Sequence, residues 1–185
     1  MTINLLLGLW VISEILLSLR RRAEKASRRK GSPGSVVWAW LVIVVSIGAA
    51  NVAMFIFPQP LPGSASVYTA VAAILILAGI GFRWWAILTL GRFFSVDIAL
   101  QDQHRVVEEG PYRFIRHPAY TGLLIILLGV GIAFRDWLSL ILVMVPVTAF
   151  FLYRIAIEEG ALSEELGPAY LEYRKRTKRL LPGIF

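Results

Sequence analysis

Residues 36–57 read VVWAWLVIVVSIGAANVAMFIF, an unbroken stretch with no charged side chain. A helix needs about 20 apolar residues to cross the hydrocarbon core of a bilayer, so this stretch is read as a membrane span. Its neighbours follow the same rule. Ile3 to Leu19 is interrupted only by Asn4, Ser13 and Glu14, and Val67 to Leu90 carries Arg83 near its end. Thr121 to Phe134 is short and glycine-containing, and starts at Tyr120 or earlier if it crosses alone. Trp137 to Ile157 holds Pro146, where a kink is expected. Only Arg135 and Asp136 separate the last two runs, which makes them a helical hairpin. The fold expected is an all-α integral membrane protein of about five transmembrane helices.

Composition agrees. Of 185 residues, 57% are apolar and 17% charged, against about 45–50% and about 25% in soluble domains. Mean hydropathy is +0.69. The absence of cysteine excludes disulfides, zinc thiolate sites and a cysteine nucleophile. The formal charge of +7 is read as anchoring at an anionic leaflet, not as nucleic-acid binding, because the basic runs lack interleaved aromatics.

The basic residues also orient the chain. Of 19 Lys and Arg, 7 lie in Arg20–Lys30, 4 in Gly91–His117 and 5 in Glu158–Phe185, and none lies in Pro58–Ser66. The positive-inside rule puts the three basic segments in the cytoplasm. Four spans behind a cleaved or interfacial first segment would leave the other loops facing the same way. Residues 1–90 read as a three-span scaffold, and residues 91–185 as the half that carries chemistry.

Glu14 and Arg83 are costly in hydrocarbon. They lie roughly 8 and 10 Å from the cytoplasmic ends of their spans. Separate snorkelling to the interface is the first reading. An ion pair between spans one and three is the second, and a substrate role the third. Asn51 reads as interhelical glue.

The loop from Gln103 to Gly122 concentrates hydrogen-bonding and ring-bearing side chains at a membrane boundary. Pro118 suits the first turn of span four. His117 and Tyr120 then sit at the helix N-terminus, whose free N–H groups can receive an anion. Each residue taken singly is an ordinary interfacial side chain; the joint arrangement is not.

The run Gly110-Pro-Tyr-Arg-Phe-Ile-Arg-His-Pro-Ala-Tyr-Thr-Gly122 resembles the signature of the isoprenylcysteine carboxyl methyltransferases and their phospholipid N-methyltransferase relatives. The lead-in Gln103-x-His104-x-Val106-Val107 and the later Arg154-Ile-Ala-Ile-Glu158-Glu159 resemble the same family, as do the spaced Tyr170, Tyr173 and Pro182. Leu166 stands where the family often has a bulky aromatic.

The resemblance implies a methyl transferase using S-adenosylmethionine, with a cytosolic cofactor pocket built from the C-terminal half. Gln103, His104, Val106 and Val107 would line the cofactor, and Gly110 and Tyr112 would shape its pocket. His117, Pro118 and Tyr120 would hold the methionine moiety and adenosine, with Glu159 and Glu158 completing that wall. Arg116 and His117 suit the cofactor's carboxylate. Arg154 and Glu158 lie four apart on one helical face. Arg154 is expected to bind the acceptor's anionic group, with Glu158 fixing Arg154; an ordinary surface salt bridge is the plain alternative. The acceptor would be a lipophilic small molecule or a prenylated chain drawn from the bilayer. A phospholipid amine acceptor, a sterol-reductase-like NADPH enzyme and a non-enzymatic membrane scaffold or small transporter are the competing readings.

Overall fold

The computed structural model describes residues 2–23, 28–32, 35–94, 98–101 and 106–184. Among these, five helices carry the fold: α1 (Thr2–Ala23), α2 (Ser35–Ile56), α3 (Ala65–Leu90), α4 (Pro118–Ala133) and α5 (Trp137–Arg176). Helices α2, α3 and α5 are long and apolar enough to cross a membrane, whereas the apolar runs Leu5–Leu17 and Pro118–Ala133 are shorter. Large apolar side chains such as Leu9, Val44, Phe55, Ile74, Leu88 and Val145 point outward. In water such a surface would be a liability; in lipid it is the solvated face.

The core draws on all five helices and centres on Ile76, Ile126, Leu127, Val143, Val147 and Phe151. No apolar driving force separates helix from lipid, so close backbone packing has to hold the bundle. Glycine supplies it between α3 and α4. A Cβ added at Gly122 would lie 2.7 Å from Arg83 Cβ, one at Gly79 would lie 2.8 Å from the Gly122 carbonyl oxygen, and one at Gly129 2.9 Å from that of Ala72.

Helix α5 is longer than a bilayer requires. About 20 residues at 1.5 Å each cross the 30 Å core, and the helix then continues outside it. Pro146 lies within it at helical backbone angles; the chain leaves helical geometry at Gly167, whose φ is 54°. A left-handed glycine followed by proline ends one helix and starts the next.

The two ends of the bundle are tied differently. At one end Asp136 caps α5 by accepting from Ser139 N (2.8 Å) and also accepts from Gln59 N. Leu61 N donates to the Arg135 carbonyl (2.8 Å), which binds the proline-rich loop to the α4–α5 turn. At the other end a two-stranded antiparallel ribbon, which the sequence reading does not contain, joins β1 (Arg28–Ser32) to β2 (Ile98–Gln101). There, too, Arg116 N donates to the Lys178 carbonyl (2.7 Å) and His117 N to that of Arg179 (3.0 Å). The three basic segments therefore share one end of the molecule.

Two expectations about intramembrane polar groups are corrected. Asn51 faces outward, and the interhelical hydrogen bond at its level runs from Ser139 Oγ to the Ala50 carbonyl (2.9 Å). Helical phase decides this, since Ala50 is fully buried and Asn51 is rotated about 100° from it. Glu14 and Arg83 do not snorkel apart but pair: Arg83 Nε donates to Glu14 Oε1 (2.5 Å) and Arg83 Nη2 to Glu14 Oε2 (2.9 Å). Both are buried, and a guanidinium fork matched to a carboxylate costs less than two lone charges.

The glycine contacts make a measurable difference. Gly122→Ala has backbone against it on α3, so overpacking should cost about 1–3 kcal/mol, whereas Gly81→Ala enters open space. Thermal unfolding in detergent should show a lowered Tm for the first variant and an unchanged one for the second.

Candidate active site

The first turn of α4 and the emerging end of α5 meet at the basic end of the bundle, and most of the residues singled out from sequence converge there. Pro118 and His117 behave as anticipated: proline opens the helix, and His117 is the residue before it. His117, Arg154 and Glu159 are all buried.

Glu159 is the centre of charge. Its Oε1 accepts from Arg116 Nε (2.7 Å) and lies 3.4 Å from His117 Nε2. Its Oε2 accepts from Arg179 Nε (3.1 Å) and sits 3.9 Å from Arg174 Nη2. Burial works to raise the pKa of this carboxyl, but hydrogen bonds from His117, Arg116 and Arg179 hold it well below the ordinary carboxylate value of 4.5. Three guanidiniums around one carboxylate leave the cluster positive.

Beside it, Tyr120 connects the other residues. Its hydroxyl donates to Glu158 Oε2 (2.9 Å), and its ring lies 5.7 Å from the Arg154 guanidinium carbon. Its ring centroid is 5.8 Å from that of His117 and 5.2 Å from that of Phe151. Glu158 is thus bonded to the tyrosine on which Arg154 rests, a different arrangement from a simple i, i+4 bridge.

Below the loop, Tyr173 Oη donates to the Tyr112 carbonyl (2.7 Å). Burial first, then the nearby Glu158 and Tyr173, push the Tyr112 hydroxyl well above its usual range, partly offset by Arg83. Tyr170 is buried, and its hydroxyl has no hydrogen-bond partner among the described residues. Gly110 has φ of 54°, and a Cβ there would lie 3.0 Å from Thr89 Oγ1, so it shapes the loop by conformation. Val106 and Val107 are half-buried on the approach. Gln103 and His104 lie outside the described residues.

The residues leading into the helix are engaged elsewhere. The amides of Arg116 and His117 are given to the C-terminal segment, and Pro118 has none. Arg116 further donates to the carbonyls of Arg174 (3.2 Å) and Thr177. Thr121 Oγ1 donates to the Leu180 carbonyl (2.9 Å). Residues 177–180 therefore form a strap across the start of α4. The sequence reading treated the basic run around Arg174 and Arg179 as membrane anchoring and missed this. A signal was available, in that the run of cations at residues 174–179 follows the carboxylates Glu158 and Glu159 in sequence.

Comparison with known proteins accords with the geometry. Residues 71–164, just over half of the chain, match the isoprenylcysteine carboxyl methyltransferase (ICMT) family. Protein-S-isoprenylcysteine O-methyltransferase B of Arabidopsis thaliana is 32% identical over 64% of this chain and 71% of its own length. Protein-S-isoprenylcysteine O-methyltransferase of Schizosaccharomyces pombe is 32% identical over 64% of this chain and 51% of its own. The solved structure of the eukaryotic intramembrane Ras methyltransferase ICMT superposes with a TM-score of 0.60 at 26% identity, over 78% of this chain and 52% of that one. The site and the span pattern thus define a multi-pass integral membrane protein. The chain belongs to the isoprenylcysteine carboxyl methyltransferase family. It spans about half to seven-tenths of the length of these relatives.

The Glu159 cluster has a pH signature. A carboxyl whose folded pKa is depressed adds stability that is complete above its unfolded value and is lost as pH falls towards the folded one. The Tm should therefore decline as pH is lowered below about 4.5. Glu159→Gln should be less stable at neutral pH and lack that share of the acid decline, as read by thermal unfolding from neutral pH to about pH 4.

Proposed function

We propose that this chain transfers a methyl group from S-adenosylmethionine to the carboxylate of an isoprenylcysteine-like lipophilic acceptor, with its five helices in the membrane and the site facing the cytoplasm. The observation that carries this reading is Arg154, a buried guanidinium at the membrane boundary of α5 that lies over Tyr120. A cation held there suits an anionic head on an apolar tail lying among the helices.

The residues present fit the cofactor. The Tyr170 hydroxyl is a buried donor whose hydrogen bond a ligand can complete. The surplus of positive charge around Glu159 suits a carboxylate, and the Glu158 carboxylate, half-buried, suits an ammonium or ribose hydroxyls. His117, Tyr120 and Tyr170 would hold S-adenosylmethionine, which when bound supplies a methyl carbon made electrophilic by its sulfonium.

An acceptor carboxylate is ionised at neutral pH and needs no general base. The protein's work is therefore placement and exclusion of water. Arg154 orients the carboxylate. Tyr120 supports Arg154 through its ring and is fixed by Glu158 through its hydroxyl. Arg116 and Glu159 hold the strap against α4 and close the cytosolic side.

Arg154→Lys separates this role from cofactor binding. It keeps the charge but loses the planar fork, and the lost charged hydrogen bonds should cut turnover of a small S-prenylated N-acetylcysteine roughly 10- to 150-fold. S-adenosylmethionine affinity should stay within about twofold. Near-wild-type turnover would remove Arg154 from the acceptor site, and a loss of cofactor affinity would move it to the cofactor pocket.

A further inference from the structure

Helix α1 lies outside the residues that match the family, yet it supplies one half of a buried ion pair whose other half reaches the site. Glu14 takes two N–H groups of Arg83, at 2.5 and 2.9 Å. Arg83 Nη1 then donates to the Ala119 carbonyl at 2.8 Å. Ala119 stands in the first turn of α4, between His117 and Tyr120. We propose that Glu14 and Arg83 are positioning residues for the methyl-transfer site: α1 locks the Arg83 guanidinium, and Arg83 fixes the turn from which His117 and Tyr120 project.

Three features support this over simple charge compensation. A helical carbonyl already accepts from the amide four residues on. The Arg83 bond to Ala119 is thus additional, and what it adds is a fixed position. Next, Gly122 touches the Arg83 backbone, as a Cβ there would lie 2.8 Å from Arg83 N. The first turn of α4 is therefore held by the main chain of α3 on one side and by the Arg83 side chain on the other. Finally, Leu17, Ala86, Ile87, Tyr112 and Ala119 pack into one apolar cluster beside the pair. With water excluded there, Glu14 is what keeps the guanidinium from turning away. The first helix would then belong to the catalytic unit and not merely anchor it.

This inference rests on the methyltransferase reading, and the test separates the two. Replacing a buried ion pair by apolar residues is often neutral or stabilising, whereas breaking it is not. The double variant Glu14→Leu with Arg83→Met should therefore keep a near-wild-type Tm in detergent. If the pair only compensates charge, its binding of labelled S-adenosylmethionine is also unchanged. If it positions α4, affinity should weaken about tenfold or more, the loss of one charged hydrogen bond's worth of order. Amides in a peptide spanning Arg116–Leu124 should also exchange faster with deuterium. Glu14→Gln, which keeps one bond to Arg83, should shift both readouts in the same direction by a smaller amount, and it decides the matter if the double variant does not fold. Unchanged affinity and unchanged exchange in a folded variant overturn the proposal. A wild-type chain that binds no S-adenosylmethionine refutes the methyltransferase reading instead, and the exchange measurement then still decides whether the tether orders α4.

Discussion

Helices α3 and α4 touch backbone to backbone at Gly79, Gly122 and Gly129, and the rest of the molecule is arranged around that contact. In lipid, apolar side chains gain little by meeting one another, so helices associate where their surfaces can approach closely. The approach fixes the direction in which α4 leaves the membrane boundary. It thereby fixes where His117 and Tyr120 stand relative to Arg154, Glu158 and Glu159 on α5. Side chains larger than hydrogen at those glycines would move the whole site.

Charge is handled by the same economy of space. Within the bundle, Arg83 is met by Glu14 on a neighbouring helix. At its basic end, one carboxylate, Glu159, faces Arg116, Arg179, Arg174 and His117. The first arrangement is balanced in charge. The second is left positive, and a positive, partly dehydrated cluster is suited to an anion. The contrast separates a positioning pair from a candidate binding site better than burial does, since Glu14, Arg83 and Glu159 are all buried.

Much of this was legible in the residues alone. The five apolar runs coincide with five helices, because length and hydropathy act locally. The proline at the start of α4 and the tight Arg135–Asp136 turn also read correctly, as local stereochemistry sets them. The bundling of His117, Tyr120, Arg154, Glu158 and Glu159 was legible as motif. What was not legible depended on helical phase or on contacts far apart in sequence. Asn51 points outward because of rotation about α2, which no count of polar residues gives. The pairing of Glu14 with Arg83, the second reading from sequence, joins α1 to α3 across 69 positions. The strap at residues 177–180 pairs with residues 114–117 through main-chain groups, and backbone pairing leaves no side-chain signature. That strap also takes the amides of Arg116 and His117, the two residues before Pro118, while guanidiniums supply the positive charge around Glu159.

The central proposal is that the meeting point of α4 and α5 holds the methyl donor on the cytoplasmic side. Ultraviolet cross-linking of methyl-labelled S-adenosylmethionine to the chain in sealed vesicles of each orientation, followed by peptide mapping, addresses it directly. The account predicts label in vesicles whose cytoplasmic face is outward, on peptides covering residues 106–124 and 154–180, and protection by excess unlabelled cofactor. Label confined to residues 1–60, or seen only in vesicles of the opposite orientation, would contradict it.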